Sequence, residues 1–265
     1  MDLLTVLLGY LGLGALAGVM AGLFGIGGGL VIVPALIFSF ELQGISTDIS
    51  AHLAVGTSLA TIVFTSISSI RSHNKHLSVR WDLFRPMTVG IVGGAVLGAW
   101  TVSFMSGDLL QMIIGVFAIA VGIKMLLMVN PKPGRDVPGP VGLGVAGGGV
   151  GWASAIFGIG GGTLTVPYFS WCNVPMQQAV GTSAACGLPI ALAGAFGNMW
   201  TGWGHPQLPD YSLGYVYLPA LFGVILTSVF FARFGANLAH RLDAKLLKRI
   251  FAVVLLIVGV RFILS

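Results

Sequence analysis

Two short motifs, each present twice, are the parts of this sequence best suited to chemistry. The first is glycine-rich: Phe24-Gly-Ile-Gly-Gly-Gly-Leu-Val-Ile-Val-Pro-Ala-Leu36 recurs as Phe157-Gly-Ile-Gly-Gly-Gly-Thr-Leu-Thr-Val-Pro-Tyr-Phe169, identical at 8 of 13 positions. Gly25, Gly27, Gly28 and Gly29, and Gly158, Gly160, Gly161 and Gly162, can turn successive backbone N–H groups into a concave nest. A half-helix starting after such a run adds unpaired amides and the positive end of its dipole. The second motif, Ala54-Val-Gly-Thr-Ser58, recurs as Ala179-Val-Gly-Thr-Ser183 and opens the next apolar segment in each half. Thr57, Ser58, Thr182 and Ser183 can cap a helix or donate to an oxyanion. A structural alternative exists: glycines also let helices cross closely. That accounts for isolated residues such as Gly93, Gly94 and Gly98, and less well for a duplicated run with a proline five residues on.

Other chemistry is sparse. All eight acidic residues (Asp2, Glu41, Asp48, Asp82, Asp108, Asp136, Asp210, Asp243) fall in termini, loops or helix ends. A cation pump usually keeps a carboxylate inside the membrane. A lining of amides and hydroxyls fits an anion instead, and the alternative is a cation or metal permease using backbone carbonyls. Cys172 and Cys186 make neither a disulfide framework nor a spaced metal site. No nucleophile with a base stands out, so no catalytic residue, enzyme activity or cofactor is expected. His52, whose counterpart is Gln177, reads as interfacial with a proton relay as the alternative; Asn198 near Trp200 and Trp203 reads as interfacial, and Cys186 as a packed small residue.

The elements that must position these motifs are membrane helices. Of 265 residues, 56% are hydrophobic and 8% charged, with a mean hydropathy of +0.96. A soluble domain carries roughly 25% charged residues to solvate its surface. Apolar runs near 3–24, 52–70, 86–104, 109–129, 141–157, 177–199, 215–232 and 250–264 are mostly long enough to span a bilayer. The N-terminus lacks the basic stretch of a signal peptide, so no cleavage is expected. The glycine motifs lie 133 residues apart, as do Gly9, Gly14 and Gly18 from Gly142, Gly147 and Gly151. This divides the chain into a first repeat, 1–129, a proline-rich cytoplasmic linker, 130–140, and a second repeat, 141–265.

Charge sets the orientation. Arg71, Lys75, Arg80 and Arg85, then Lys132 and Arg135, then Arg233, Arg241, Lys245, Lys248 and Arg249 include eleven of the thirteen basic residues. Loops 39–51, 105–108 and 201–214 have none, so the basic regions face the cytoplasm and these loops face outside. The net charge of +5 therefore reports membrane orientation, not nucleic-acid binding. Three apolar segments between two cytoplasmic regions leave an odd number of crossings unless one folds back. Residues 3–38 as one helix would run about 54 Å, beyond a core of about 30 Å. A break at Gly25–Gly29, and another at Gly158–Gly162, resolves length and parity together. The expected fold is an all-α polytopic membrane protein of two inverted-topology repeats, each of about four apolar segments, with broken, re-entrant helices at the Gly-Ile-Gly-Gly-Gly motifs. Arg261, near an external C-terminus, counts against this orientation.

With its twin Phe-Gly-Ile-Gly-Gly-Gly…Val-Pro motifs, each followed by Val-Gly-Thr-Ser, the whole chain resembles the sulfite exporter TauE/SafE family. The resemblance implies a multi-pass inner-membrane permease for small anions, such as sulfite or organosulfonates and carboxylates, working by alternating access. The implied substrate region is Gly25–Gly29 with Thr57 and Ser58, and Gly158–Gly162 with Thr182 and Ser183. Thr163 and Thr165, where the first copy has Leu30 and Ile32, make the second side more polar. The implied partners are a small anion and the lipid bilayer; a homo-oligomer is left open.

Overall fold

A computed structural model describes residues 3–24, 28–127, 134–239 and 244–264. Ten helices follow in order: α1 Leu3–Phe24, α2 Gly29–Leu42, α3 Thr47–Lys75, α4 Trp81–Ser103, α5 Gly107–Leu126, α6 Pro140–Phe157, α7 Gly162–Trp171, α8 Met176–Thr201, α9 Leu218–Ala239 and α10 Ala244–Leu264. Five of them (α3, α4, α5, α6 and α8) are long and apolar enough to cross a membrane. Large apolar side chains face outward, Val89, Trp100, Phe196, Trp200 and Phe230 among them. Such an exterior is stable against hydrocarbon and not against water. The chain is an all-α polytopic membrane protein.

Both expected helix breaks occur. α6 ends at Gly158, left-handed at φ 63°, and α2 starts after Gly28 at φ 65°. Neither angle suits a residue with a side chain. Each break turns the chain back on itself. The last carbonyl of α7, Trp171 O, accepts from the amides of Gly134 and Arg135, just ahead of α6. At the end of α2, Gln43 Nε2 donates to the Tyr10 hydroxyl of α1 at 2.6 Å.

Small residues set the helix contacts. Gly90, Gly94 and Gly98 of α4 lie against Gly144, Gly148 and Trp152 of α6, so these two helices run parallel. Gly14 and Gly18 of α1 meet Val224 and Ser228 of α9 in the same sense. The central helices α3 and α8 are antiparallel: Gly56 faces Asn198, Leu59 faces Gly194, and Ser66 faces Gly187. α5 and α10 are also antiparallel, through Gly115 with Gly259 and Gly122 with Ala252.

Two expectations change. α3 begins at Thr47, not at the Gly-Thr-Ser motif, because Ser46 caps it by accepting from the Asp48 amide. α8 likewise starts at Met176, so both motifs lie inside long helices. Residues 212–217 form a small antiparallel hairpin, Ser212–Leu213 with Val216–Tyr217, where the apolar run from 215 had read as helix. Gly214, at positive φ, lies in its bend, and Tyr211, also at positive φ, precedes it. The Arg261 guanidinium pairs with Glu41 at 3.2 Å and lies over the Phe38 ring.

Candidate functional site

The two glycine breaks meet in the interior beside the α3–α8 crossing. A Cβ on Gly29 would lie 2.8 Å from the Gly158 carbonyl oxygen and 2.9 Å from Ile159 Cα. One on Gly158 would lie 2.7 Å from Val33 Cγ2 and 3.0 Å from Val55 Cα. Gly161 is pressed against α8, its position for a Cβ 2.6 Å from Ser183 O and 3.0 Å from Gly187 N. Larger residues would separate these segments. Gly25 and Gly27 lie outside the described residues.

The second break leaves amides without acceptors. The amides of Gly158 and Ile159 both donate to Ser154 O, and Thr165 N donates to Gly161 O. Between them, the amides of Gly160, Gly161, Gly162, Thr163 and Leu164 have no acceptor among the described residues. The first four amides of any helix lack an intrahelical partner; here Gly160 precedes them, and Gly160 and Gly161 are buried. Three hydroxyls of the same region, Ser154 Oγ, Thr163 Oγ1 and Ser183 Oγ, are also enclosed without a partner. Groups of this kind cost free energy unless something accepts from them. Thr165 is satisfied, its hydroxyl bonded to the Gly161 carbonyl.

The hydroxyls of the Gly-Thr-Ser motifs divide into two kinds. Neither threonine caps its helix, as a position at the helix start would have allowed. Thr57 Oγ1 accepts from the Tyr217 amide, and Thr182 Oγ1 accepts from the Arg80 amide, each at 2.9 Å. These two oxygens hold backbone. Ser58 Oγ donates to the Gly158 carbonyl at 2.8 Å and so ties α3 to the second break. Ser183, equally buried, ties to nothing.

Beside Gly29 a cleft of about 10 Å³ is walled by Leu30, Val33, Pro34, Ile114, Phe117 and Phe157. That is about the minimum for one water. Phe117 and Phe157 stack face to face with ring centres 3.9 Å apart and close it. The described lining of this cleft is apolar.

Asn198 and His52 are buried in the protein. Asn198 is fully buried, with Nδ2 donating to Gly194 O, while its backbone carbonyl accepts from the Tyr215 amide. His52 is buried against the Tyr215 ring, with Nε2 3.1 Å from Val102 O. Both lie under the 212–217 hairpin, which hydropathy alone left in the external loop. Cys186 is buried as expected. No cluster of three or more metal-ligating side chains occurs among the described residues.

Residues 10–262 match the family model described as Sulfite exporter TauE/SafE. A probable membrane transporter protein of Haemophilus influenzae is 35% identical over 253 residues, covering 95% of this chain and 96% of the relative. A probable membrane transporter protein of Methanocaldococcus jannaschii is 27% identical over 259 residues, 95% and 93% of the two chains. The probable membrane transporter protein YunE of Bacillus subtilis is 27% identical over 272 residues, 95% of each. No solved structure matches.

Proposed function

The chain belongs to the sulfite exporter TauE/SafE family, a family of membrane transporters, and from that premise we propose that it is a secondary permease for small anions of the sulfite, organosulfonate or carboxylate type. It works in the inner membrane by alternating access about a central glycine-lined site.

The observation that carries this reading is the set of acceptor-free amides from Gly160 to Leu164 beside the unpartnered Ser183 hydroxyl. Amide donors with no acceptor, two of them on the buried Gly160 and Gly161, are stabilised by a negative solute. Donation by neutral groups also lets the solute leave, since no fixed charge holds it. Gly28, Gly29 and Ser58 form the opposite wall, with Gly25 and Gly27 assigned to it by their place in the motif. Thr57 and Thr182 belong to this site as supports, because their oxygens already accept from backbone. The cation alternative is disfavoured by the Gly158 carbonyl, the natural ligand at the break, which accepts from Ser58.

The repeats, 1–129 and 141–265 joined by 130–140, are read as inverted. The antiparallel crossing of the sequence-equivalent helices α3 and α8 supports this. So does the exchange of partners in which α1 packs on α9 as α6 packs on α4. Cysteine placed at the exposed positions Ser46 or Gln207 is expected to react with an impermeant reagent from outside only. Reaction of either from the cytoplasmic side removes the assignment.

Purified protein in liposomes tests the function. Uptake of sulfite or sulfoacetate well above protein-free vesicles, and above chloride, is expected. Flux of sodium or potassium with no anion flux overturns the reading.

A further inference from the structure

The two Gly-Thr pairs grip two different segments in the same way. In α3, the Tyr215 carbonyl lies so close over Gly56 that a Cβ there would overlap it, 2.1 Å away, and two residues on the Tyr217 amide donates to Thr57. In α8, the Ser78 carbonyl lies over Gly181, 2.5 Å from a Cβ, and two residues on the Arg80 amide donates to Thr182. Each gripped amide belongs to the last residue before a helix, Tyr217 before α9 and Arg80 before α4. Each grip also has a second hydrogen bond, to α8: Tyr215 N to Asn198 O at 3.1 Å, and Arg80 Nη1 to Gln178 Oε1 at 3.3 Å.

Both grips cross between the halves of the chain. They sit at opposite ends of the antiparallel α3–α8 pair: from Thr57 to the end of α3 at Lys75 is about 27 Å at 1.5 Å per residue. The glycine breaks lie between them, with Ser58 on Gly158 and Ser183 on Gly161. Both grips are closed in this structure, and the space beside the break is about 10 Å³.

We propose that the two Gly-Thr pairs are the latches of two gates. Release of the 212–217 hairpin from Gly56 and Thr57 opens the central site to the outside. Release of residues 76–80 from Gly181 and Thr182 opens it to the cytoplasm. This rests on the transporter reading, since a shared site with two closures has a use only if a solute passes through. Glycine and threonine fit the task. The first admits a carbonyl at a distance no other residue allows, and the second offers one neutral acceptor whose loss is small enough to be reversible.

The test uses thiol accessibility and needs no substrate. In a Cys172→Ser background, Cys186, buried on α8 between the latches, is the probe; Thr61→Cys on α3, with Cys186 replaced by serine, is its counterpart. Thr57→Val keeps shape and removes the acceptor. It is expected to raise labelling by an impermeant maleimide from outside about tenfold. Thr182→Val is expected to do the same from the cytoplasmic side, while Thr57→Ser and Thr182→Ser stay at the parental rate. If a valine variant does not fold, Gly56→Ala or Gly181→Ala pushes the same segment away by contact and predicts the same side. The gates are overturned if both variants raise labelling from one side, or if neither changes it. Side-specific labelling in a protein that moves no anion keeps the gates and removes the anion reading. Anion flux with unchanged labelling does the reverse.

Discussion

Replacing Ser183 by alanine is expected to lower sulfite or sulfoacetate uptake between about tenfold and a hundredfold, while the protein keeps or gains stability. The two effects have opposite signs for one reason. In the closed structure the Ser183 hydroxyl is fully buried and bonds to nothing, so its removal relieves a desolvation cost of about 1–3 kcal/mol. If that hydroxyl faces the solute in transit, its removal also takes away a hydrogen bond to a charged group, worth about 1.5–3 kcal/mol. Ser58→Ala is the contrast, because it leaves the Gly158 carbonyl without its donor and should lower the thermal midpoint. Uptake by the Ser183→Ala protein equal to the parent, at equal amounts of folded protein, would remove Ser183 from the site and leave the amides of α7 as the whole cradle.

The second large effect concerns neighbours on one helix. Gly93 and Gly94 are adjacent in α4 and alike in sequence. A Cβ on Gly93 meets nothing within 4 Å, whereas one on Gly94 would lie 2.0 Å from the Gly148 carbonyl oxygen of α6. Gly94→Ala therefore forces α4 and α6 apart and is expected to cost about 2 kcal/mol or more, seen as loss of monodisperse protein in detergent. Gly93→Ala removes backbone freedom from the unfolded chain at no contact cost, and should be neutral or slightly stabilising. Equal behaviour of the two variants would mean that α4 and α6 do not touch along this face.

That pair shows where sequence reading stops. Forty glycines in an apolar chain announce close helix packing, but not which ones pack. The Gly-Thr-Ser motifs are a second case. Their repetition marks them as important, and hydroxyls beside a glycine run invite assignment to a ligand. The structure gives the threonines to backbone amides of residues 80 and 217, more than 100 positions away in sequence. Asn198 and His52 read as interfacial because their neighbours in sequence are aromatic or polar; a hairpin folded over them makes both interior. The helix starts at Thr47 and Met176 were masked in another way, since a polar first turn is invisible to a hydropathy window although Ser46-Thr-Asp is an ordinary capping sequence.

From its own residues alone the chain determines that it lives in a bilayer, that it repeats itself, and that helices end and restart at the two glycine motifs. These follow from composition, from internal identity, and from a helix length that exceeds the hydrocarbon thickness, all of which are local or additive quantities. Tertiary structure alone decides which amides remain without an acceptor and which hydroxyls are spent on backbone. Those outcomes depend on hydrogen bonds between segments distant in sequence, and a donor is free or satisfied only according to what the fold brings within about 3 Å of it.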